Sequence, residues 1–324
     1  MNKNVPILII GAGSIGERHI RNLWQLGYHN LIVFRQRNLP FRDIGQAQVR
    51  TELNWDNVFD LKPFAALICT PTAQHMEQII HCLQAKMHVF VEKPLSHNLE
   101  KIEDLKKLVL NTNKLVQVGF MMRFHPHILT VKNHLEANTF GKLSNSDSYW
   151  GSYLPDWHAW ENYKESYAAK KSLGGGVALT LCHDIDLALW LSHYSAINYK
   201  SEFFNSEALD IETEAIANIQ IKFKNNVTSN IHLNYLDNPP IRKYHWEFEE
   251  ADIEMDYFEN SLTIKSKMDN LLISKIVLQD FDRNDLFIAE LVSFFHQIDT
   301  ENNFINTSTG QITESELIIK ICTK

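Results

Sequence analysis

No apolar run in the 324 residues approaches the ~20 that a membrane-spanning helix needs, so no membrane partner is expected. The start of the chain shows no secretory pattern. Val5–Ile10 leads straight into a glycine-rich turn instead of a cleavage site, which points to the cytoplasm. Blocks of one charge sign are also missing. The net charge of −8 is dispersed, which argues against nucleic acid or an anionic membrane as a partner. The four cysteines, Cys69, Cys82, Cys182 and Cys322, are isolated and form no CxxC pair. That argues against a disulfide framework or a thiolate metal centre and for reduced, buried thiols. His125 and His127 have no evident ligand partners in the sequence, so no metal is expected. There is no repeat and no low-complexity tract.

What is present suits a folded protein with a sizeable core: 44% of the residues are apolar and 11% aromatic. The length favours two domains. The β-branched run Val5–Ile10 precedes Gly11-Ala12-Gly13-Ser14-Ile15-Gly16, and a helical pattern with Ile20, Leu23 and Trp24 follows, stopping at Gly27. This is GxGxxG between a strand and a helix, where it binds a dinucleotide. Gly11 permits the turn, Gly13 lets the backbone approach a pyrophosphate, and Gly16 packs helix on strand. The candidate cofactor contacts here are Gly11, Gly13, Ser14, Ile15 and Gly16. A second strand, Asn30–Phe34, ends in Arg35-Gln36-Arg37, where an NAD-selective site carries an acid for the ribose hydroxyls. Two arginines stand there instead. Arg35 and Arg37 can pair with a 2′-phosphate, which favours NADP over NAD, unless they are solvated loop charges.

Further strands are expected at Ala65–Cys69, His88–Val91 and Leu115–Gly119, with helices at 73–85 and 100–110 between them. Alternation at this spacing gives a doubly wound parallel sheet over residues 1–120. The strand His88–Val91 runs into Glu92-Lys93-Pro94, which puts a lysine at the carboxyl end of a parallel strand, where open α/β sheets place ligands. Beyond residue 120 the pattern changes. A helix over 126–137 leads to an aromatic, loop-like tract from Tyr149 to Trp160, then to Gly174-Gly175-Gly176 and one helix-like stretch, Val177–Leu191, bearing His183, Asp184 and Asp186. Alternating segments follow, including Ala215–Phe223, Val227–Leu236, His245–Glu249 and Ser261–Lys265, as in an antiparallel sheet with one open face. Helical stretches over 285–297 and 313–321 close the chain. The second domain, 121–324, is therefore α+β.

The chain resembles the Gfo/Idh/MocA oxidoreductases. The resemblance lies in Gly11–Gly16, Cys69-Thr70-Pro71-Thr72 with His75, Glu92-Lys93-Pro94, Gly119 with Arg123, and Gly174–Gly176 followed by His183 and Asp186. The tract from Gly151 to Trp160, with Tyr163, Tyr167 and the triple glycine, is similar more loosely to a subgroup linked to bacterial surface-sugar pathways. The resemblance implies a cytoplasmic NAD(P)-dependent enzyme, a homodimer or homotetramer packed through the C-terminal sheet. It acts on a secondary alcohol or ketone of a sugar, polyol or nucleotide sugar. It makes Lys93 the active-site lysine and His183 its partner. One departure stands out: many members carry Asp a helical turn before that histidine, where this chain has Thr180, and the spacing from the glycines is one residue shorter. Asp184 or Asp186 could supply the carboxylate, or none does.

Hydride transfer needs a group that takes or gives the hydroxyl proton. A histidine, with an ordinary pKa of ~6.5, can do either near neutrality. His183 is read as general acid/base and Lys93 as the polarising partner, the reverse assignment remaining open. Thr70, Pro71, Thr72 and His75 are expected to line the nicotinamide side, and Glu92 to be structural or a ribose contact. The substrate side is expected to comprise Lys93, Arg123, Trp157, Lys171, Thr180 and His183. Two rival functions fit the same residues: an NAD-dependent glycoside hydrolase, which retains its cofactor, and a non-catalytic dinucleotide-binding regulator.

Overall fold

The structure, a computed structural model, describes residues 2–36, 40–45, 48–158 and 160–323. The chain divides into two compact units, Met1–Phe120 with Phe287–Leu317, and Met121–Leu286 with Ile318–Lys324. The return of 287–317 to the first unit differs from the sequence boundary.

The first unit runs β1 (Ile7–Ile10), α1 (Ser14–Gln25), β2 (Leu31–Phe34), β3 (Arg50–Glu52), α2 (Trp55–Asp60), β4 (Ala65–Ile68), α3 (His75–Gln84), β5 (His88–Glu92), α4 (Ile102–Thr112) and β6 (Val116–Gly119). The strands form one parallel sheet in the order β3-β2-β1-β4-β5-β6. Every residue of β1, β2, β4 and β5 is buried, which explains why these strands read as continuous apolar runs rather than alternations. Strand order reverses between β1 and β4, so the loops after these two strands open where ligands bind in such sheets.

The second unit contains α5 (Pro126–Glu136), β7 (Leu143–Gly151), α6 (Val177–Thr180), α7 (His183–Leu191), β8 (Ala196–Phe204), β9 (Ile216–Phe223), β10 (Thr228–Asn234), β11 (Ile241–Phe248), β12 (Ala251–Asp256), β13 (Ser261–Ser266) and β14 (Leu272–Val277). Its eight strands are ordered β14-β13-β12-β11-β7-β10-β9-β8. Only β7 and β10 pair in parallel; the other neighbours are antiparallel. Tyr149, Trp150 and Gly151 end strand β7 and are not loop. The sequence hides this strand because three of its residues are serines, and the buried hydroxyl of Ser146 pairs with that of Ser229 at 2.5 Å instead of presenting an apolar face. Two helices, α8 (Asn284–Thr300) and α9 (Ile305–Cys322), complete the chain.

Helix α8 explains the return to the first unit. Its Leu291, Phe294 and Phe295 are buried in one core cluster with Ile7, Leu67 and Phe90, and Phe295 stacks on Tyr28 at 4.4 Å. Each such side chain contributes about 1.5–3 kcal/mol when fully buried. Helix α9 begins eight residues before the sequence suggests. Its polar first half covers the edge of the parallel sheet: Ser308 Oγ accepts the Val116 N–H at 2.9 Å and donates to the Lys114 carbonyl at 3.0 Å.

Candidate active site

The glycine loop follows from sterics. At Gly11 φ is +91°, and a Cβ there would lie 2.9 Å from Thr70 Cγ2. A Cβ on Gly16 would lie 2.1 Å from the Gly11 carbonyl oxygen, so helix α1 approaches its own loop as only glycine allows. Nothing lies within 4 Å of a Cβ built on Gly13, which caps α1 without a side-chain hydrogen bond. Ser14 and Ile15 open the helix. Its first-turn N–H groups, at the positive end of a 12-residue helix, form an anion cradle of the kind a pyrophosphate occupies. These residues fit a nicotinamide dinucleotide.

Beside the cradle, buried Glu17 accepts the main-chain N–H groups of Arg42 and Asp43 at 2.8–3.2 Å and fixes the segment beyond β2. Arg35, at the end of β2, stacks over Phe41 at 4.2 Å. Burial lowers its pKa and the charge of Glu17 partly offsets this. Arg37 lies outside the described residues.

After β4, the Thr70 hydroxyl donates to Gln78 Oε1 at 2.6 Å. A 3-10 turn, Thr72–Gln74, follows Pro71. The His75 ring bridges the carbonyls of Thr70 and Pro94 at 2.8 and 2.9 Å and is 1% exposed. Thr72 is likewise buried. The side chains of His75 and Thr72, expected on the nicotinamide side, are buried within the loop, and His75 joins it to the turn after β5. Thr70 and Pro71, both half-buried, remain candidates for that surface. The Lys93–Pro94 peptide is cis. Lys93 is half-buried, while Glu92 before it is buried and bonded to His19 Nε2 at 2.7 Å. Glu92 is thus held in place directly before the lysine.

Two residues of this half went unread in the sequence. His19 stands three positions after Gly16, and Glu290 lies within the apolar stretch Leu286–Phe295 of α8. The signal for Glu290 was a single acid in a run that is otherwise apolar but for Ser293; such an acid is either exposed or partnered to a buried site.

In the second unit, the helix-like stretch 177–191 breaks. Helix α6 ends at Thr180, Leu181 and Cys182 form a turn, and α7 begins at His183. Nearly every residue here is buried, so the sequence carries no amphipathic period to reveal the break. The Thr180 hydroxyl lies against the buried phenol of Tyr235. Asp184, next to His183, forms a fully buried ion pair with Arg242 at 2.6 Å. Burial opposes the Arg242 charge, and the Asp184 carboxylate more than compensates, so its pKa rises. The guanidinium also lies 3.8 Å from the Trp150 ring and 5.1 Å from that of Tyr257. Asp186 receives Arg123 through two hydrogen bonds, at 2.6 and 3.0 Å, and accepts from the Tyr194 hydroxyl at 2.8 Å. Both carboxylates of α7 are thus engaged with arginines, one on each side of the helix. Arg123, expected to grip substrate, spends its fork on Asp186. Trp157 donates to Ser152 Oγ at 2.9 Å and meets Tyr235 edge-on. Lys171 is exposed, and its main-chain N–H bonds Glu212 at 3.3 Å.

Residues 5–120 match the family described as "Oxidoreductase family, NAD-binding Rossmann fold", and residues 128–249 match the "GFO/IDH/MocA C-terminal domain". The chain belongs to the Gfo/Idh/MocA oxidoreductase family. Its nucleotide unit is accordingly an NAD(P)-binding Rossmann domain. Over 217 residues the chain is 28% identical to a levoglucosan dehydrogenase of Pseudarthrobacter phenanthrenivorans, covering 60% of this chain and 53% of the relative. Over 150 residues it is 38% identical to an NAD(+) scyllo-inositol 2-dehydrogenase of Bacillus subtilis, covering 44% of this chain and 43% of the relative. The matches thus span about half the length of these curated relatives. A solved levoglucosan dehydrogenase in complex with NADH has a similar fold, with a TM-score of 0.79 over 98% of both chains at 16% identity. Among the described residues, no helix is long and apolar enough to cross a membrane.

Proposed function

We propose that this protein is a dissociable NAD(P)-dependent oxidoreductase acting on a secondary alcohol or ketone of a sugar, polyol or nucleotide sugar. The observation that carries the reading is Lys93, half-buried at the carboxyl end of β5 and tied down on both sides, through Glu92 to His19 and through the Pro94 carbonyl to His75. A surface lysine has no need of such anchors. When bound, the nicotinamide cofactor supplies the hydride acceptor or donor. Gly11, Gly13, Ser14, Ile15 and Gly16 hold its pyrophosphate, and Thr70 and Pro71 face its nicotinamide end. His183 serves as general acid/base at the hydroxyl, and Lys93 polarises the oxygen. Asp184 and Asp186 position His183 through Arg242 and Arg123, which takes over the orienting task of the carboxylate absent at Thr180. Trp157, Lys171 and Thr180 belong to the substrate side, where an indole face and polar groups suit a hydroxylated ring, whereas Arg123 is committed to Asp186. The two named relatives, which act on levoglucosan and scyllo-inositol, support a cyclic polyol.

Arg35 and the absence of an acid at the end of β2 support NADP over NAD. Titration of the protein with NADPH and NADH, for the unmodified chain and for Arg35→Ala, tests the cofactor assignment. Preferential NADPH binding that weakens at least tenfold in the variant is expected. Equal binding of the two nucleotides, untouched by the substitution, would overturn the preference; binding of neither would overturn the function. The polar open face of the second unit's sheet, a concavity of about 820 Å³ lined by Asp147, Tyr149, Asn218, Asn230, Lys243 and His245, is the surface through which a homodimer or homotetramer would form.

A further inference from the structure

Near Lys93, the anchoring pair His19 and Glu92 meets a third ionisable side chain, Glu290, that the reaction above does not use. Donor atoms of His19 from α1, Glu92 from β5 and Glu290 from α8 all lie within 4.8 Å of one another, and all three residues are buried. Their situations differ. Glu92 accepts from His19 Nε2 at 2.7 Å. Glu290 is 1% exposed, and among the described residues neither of its carboxyl oxygens has a hydrogen-bond partner. Its surroundings are the Phe90 ring and Gly119, where a Cβ would stand 3.5 Å from Glu290 Oε2. The titratable groups facing it are His19 from α1, Cys69 from the end of β4, and Glu92 and Lys93 from the end of β5. His75 faces Glu92 from the far side.

We propose that Glu290 is un-ionised at neutral pH and, as a positioning residue, sets the charge beneath Lys93, so that the lysine faces one negative charge, that of Glu92, instead of two. The inference rests on the reading of Lys93 as the active-site lysine. A buried carboxylate without a donor is far costlier than the neutral acid. Two carboxyl groups this close do not both ionise cheaply, and of the two Glu290 is the one that lacks a donor among the described residues. Burial raises the Glu290 pKa well above the carboxylate range; the Glu92 charge adds to this and Lys93 opposes it. A second negative charge at this spot would tighten the hold of Lys93 on its proton and draw the ammonium group inward, away from a substrate oxygen.

The test compares the full chain with Glu290→Gln, Glu92→Gln and Lys93→Met. Infrared spectroscopy at neutral pH is expected to show the carbonyl band of a buried carboxylic acid in the unmodified protein and its loss in Glu290→Gln. Thermal stability of Glu290→Gln is expected to pull ahead of the unmodified protein as pH rises. The neutral acid is favoured by folding, so stability is lost above the unfolded carboxyl pKa, and only when Glu290 can ionise. The pH–rate limb that disappears in Lys93→Met is expected to stay in place in Glu290→Gln and to fall in Glu92→Gln. Absence of the infrared band, or a limb displaced by about a unit or more in Glu290→Gln, would overturn the proposal. So would a stoichiometric divalent cation in the purified protein, because these three donors are close enough to hold one. If Lys93→Met leaves turnover intact, the function fails instead, while the infrared result still reports on Glu290.

Discussion

Glycine 16 is the residue at which the nucleotide cradle is most easily broken. A methyl group would meet the Gly11 carbonyl oxygen at 2.1 Å, and backbone atoms cannot rotate aside. Gly16→Ala is therefore expected to cost about 1–3 kcal/mol through a forced shift of α1 and to abolish measurable dinucleotide binding. Calorimetry and nucleotide titration check the two effects separately. At the proposed chemical groups the expectation is the reverse. His183→Ala should bind nucleotide normally while losing roughly 10²–10⁴-fold in kcat, the usual reach of general acid/base catalysis. Residue types at these positions were legible in the sequence, since GxGxxG and Glu-Lys-Pro each impose a local geometry. What was not legible was partnership. Nothing in the sequence couples Glu92 to His19 and Glu290, 73 and 198 positions away, or commits Arg123 to Asp186. Such pairings are made by packing, and a linear reading sees only candidates.

Among the elements, α7 is the best example of a helix held by charge in a dry place. Its Asp184 and the Arg242 of β11 are both fully buried. Removing one partner strands the other, so Arg242→Met is expected to destabilise by about 3–5 kcal/mol, with much of the loss recovered in the double variant Asp184→Leu/Arg242→Met. Denaturant unfolding checks both values. Asp184 directly follows His183 on α7, so under the proposed role of His183 the double variant should recover stability without full turnover. Helix α9 offers a milder case. Ser308→Ala leaves the Val116 N–H without its acceptor at a sheet edge and should cost about 1–3 kcal/mol. The sequence read the strands of the parallel sheet well because total burial makes them apolar throughout. It missed the first half of α9 and most of β7, where serine, threonine and asparagine serve as hydrogen-bonding groups and leave no hydrophobic period.

For the whole molecule, buried histidines govern the response to acid. Burial, with Lys114 nearby, lowers the His88 pKa to about 4; burial, with His127 and Arg242 nearby, lowers that of His125 to about 3. An unfolded histidine titrates near ~6.5. Between that value and the folded ones the unfolded chain binds protons that the folded chain refuses. The stability from these groups is therefore complete above about pH 6.5 and is lost as pH falls through the window down to 4 and 3. Thermal melts across that range should show Tm falling with pH, and His125→Asn should show a shallower fall. NADPH deuterated at the transferable position of its nicotinamide should be incubated with keto-sugars and keto-polyols, using the unmodified protein and Lys93→Met. Deuterium on a carbinol carbon of the product, with turnover lost in the variant, is the predicted result. Nucleotide that binds yet never delivers its label, with the variant behaving like the unmodified protein, would contradict it.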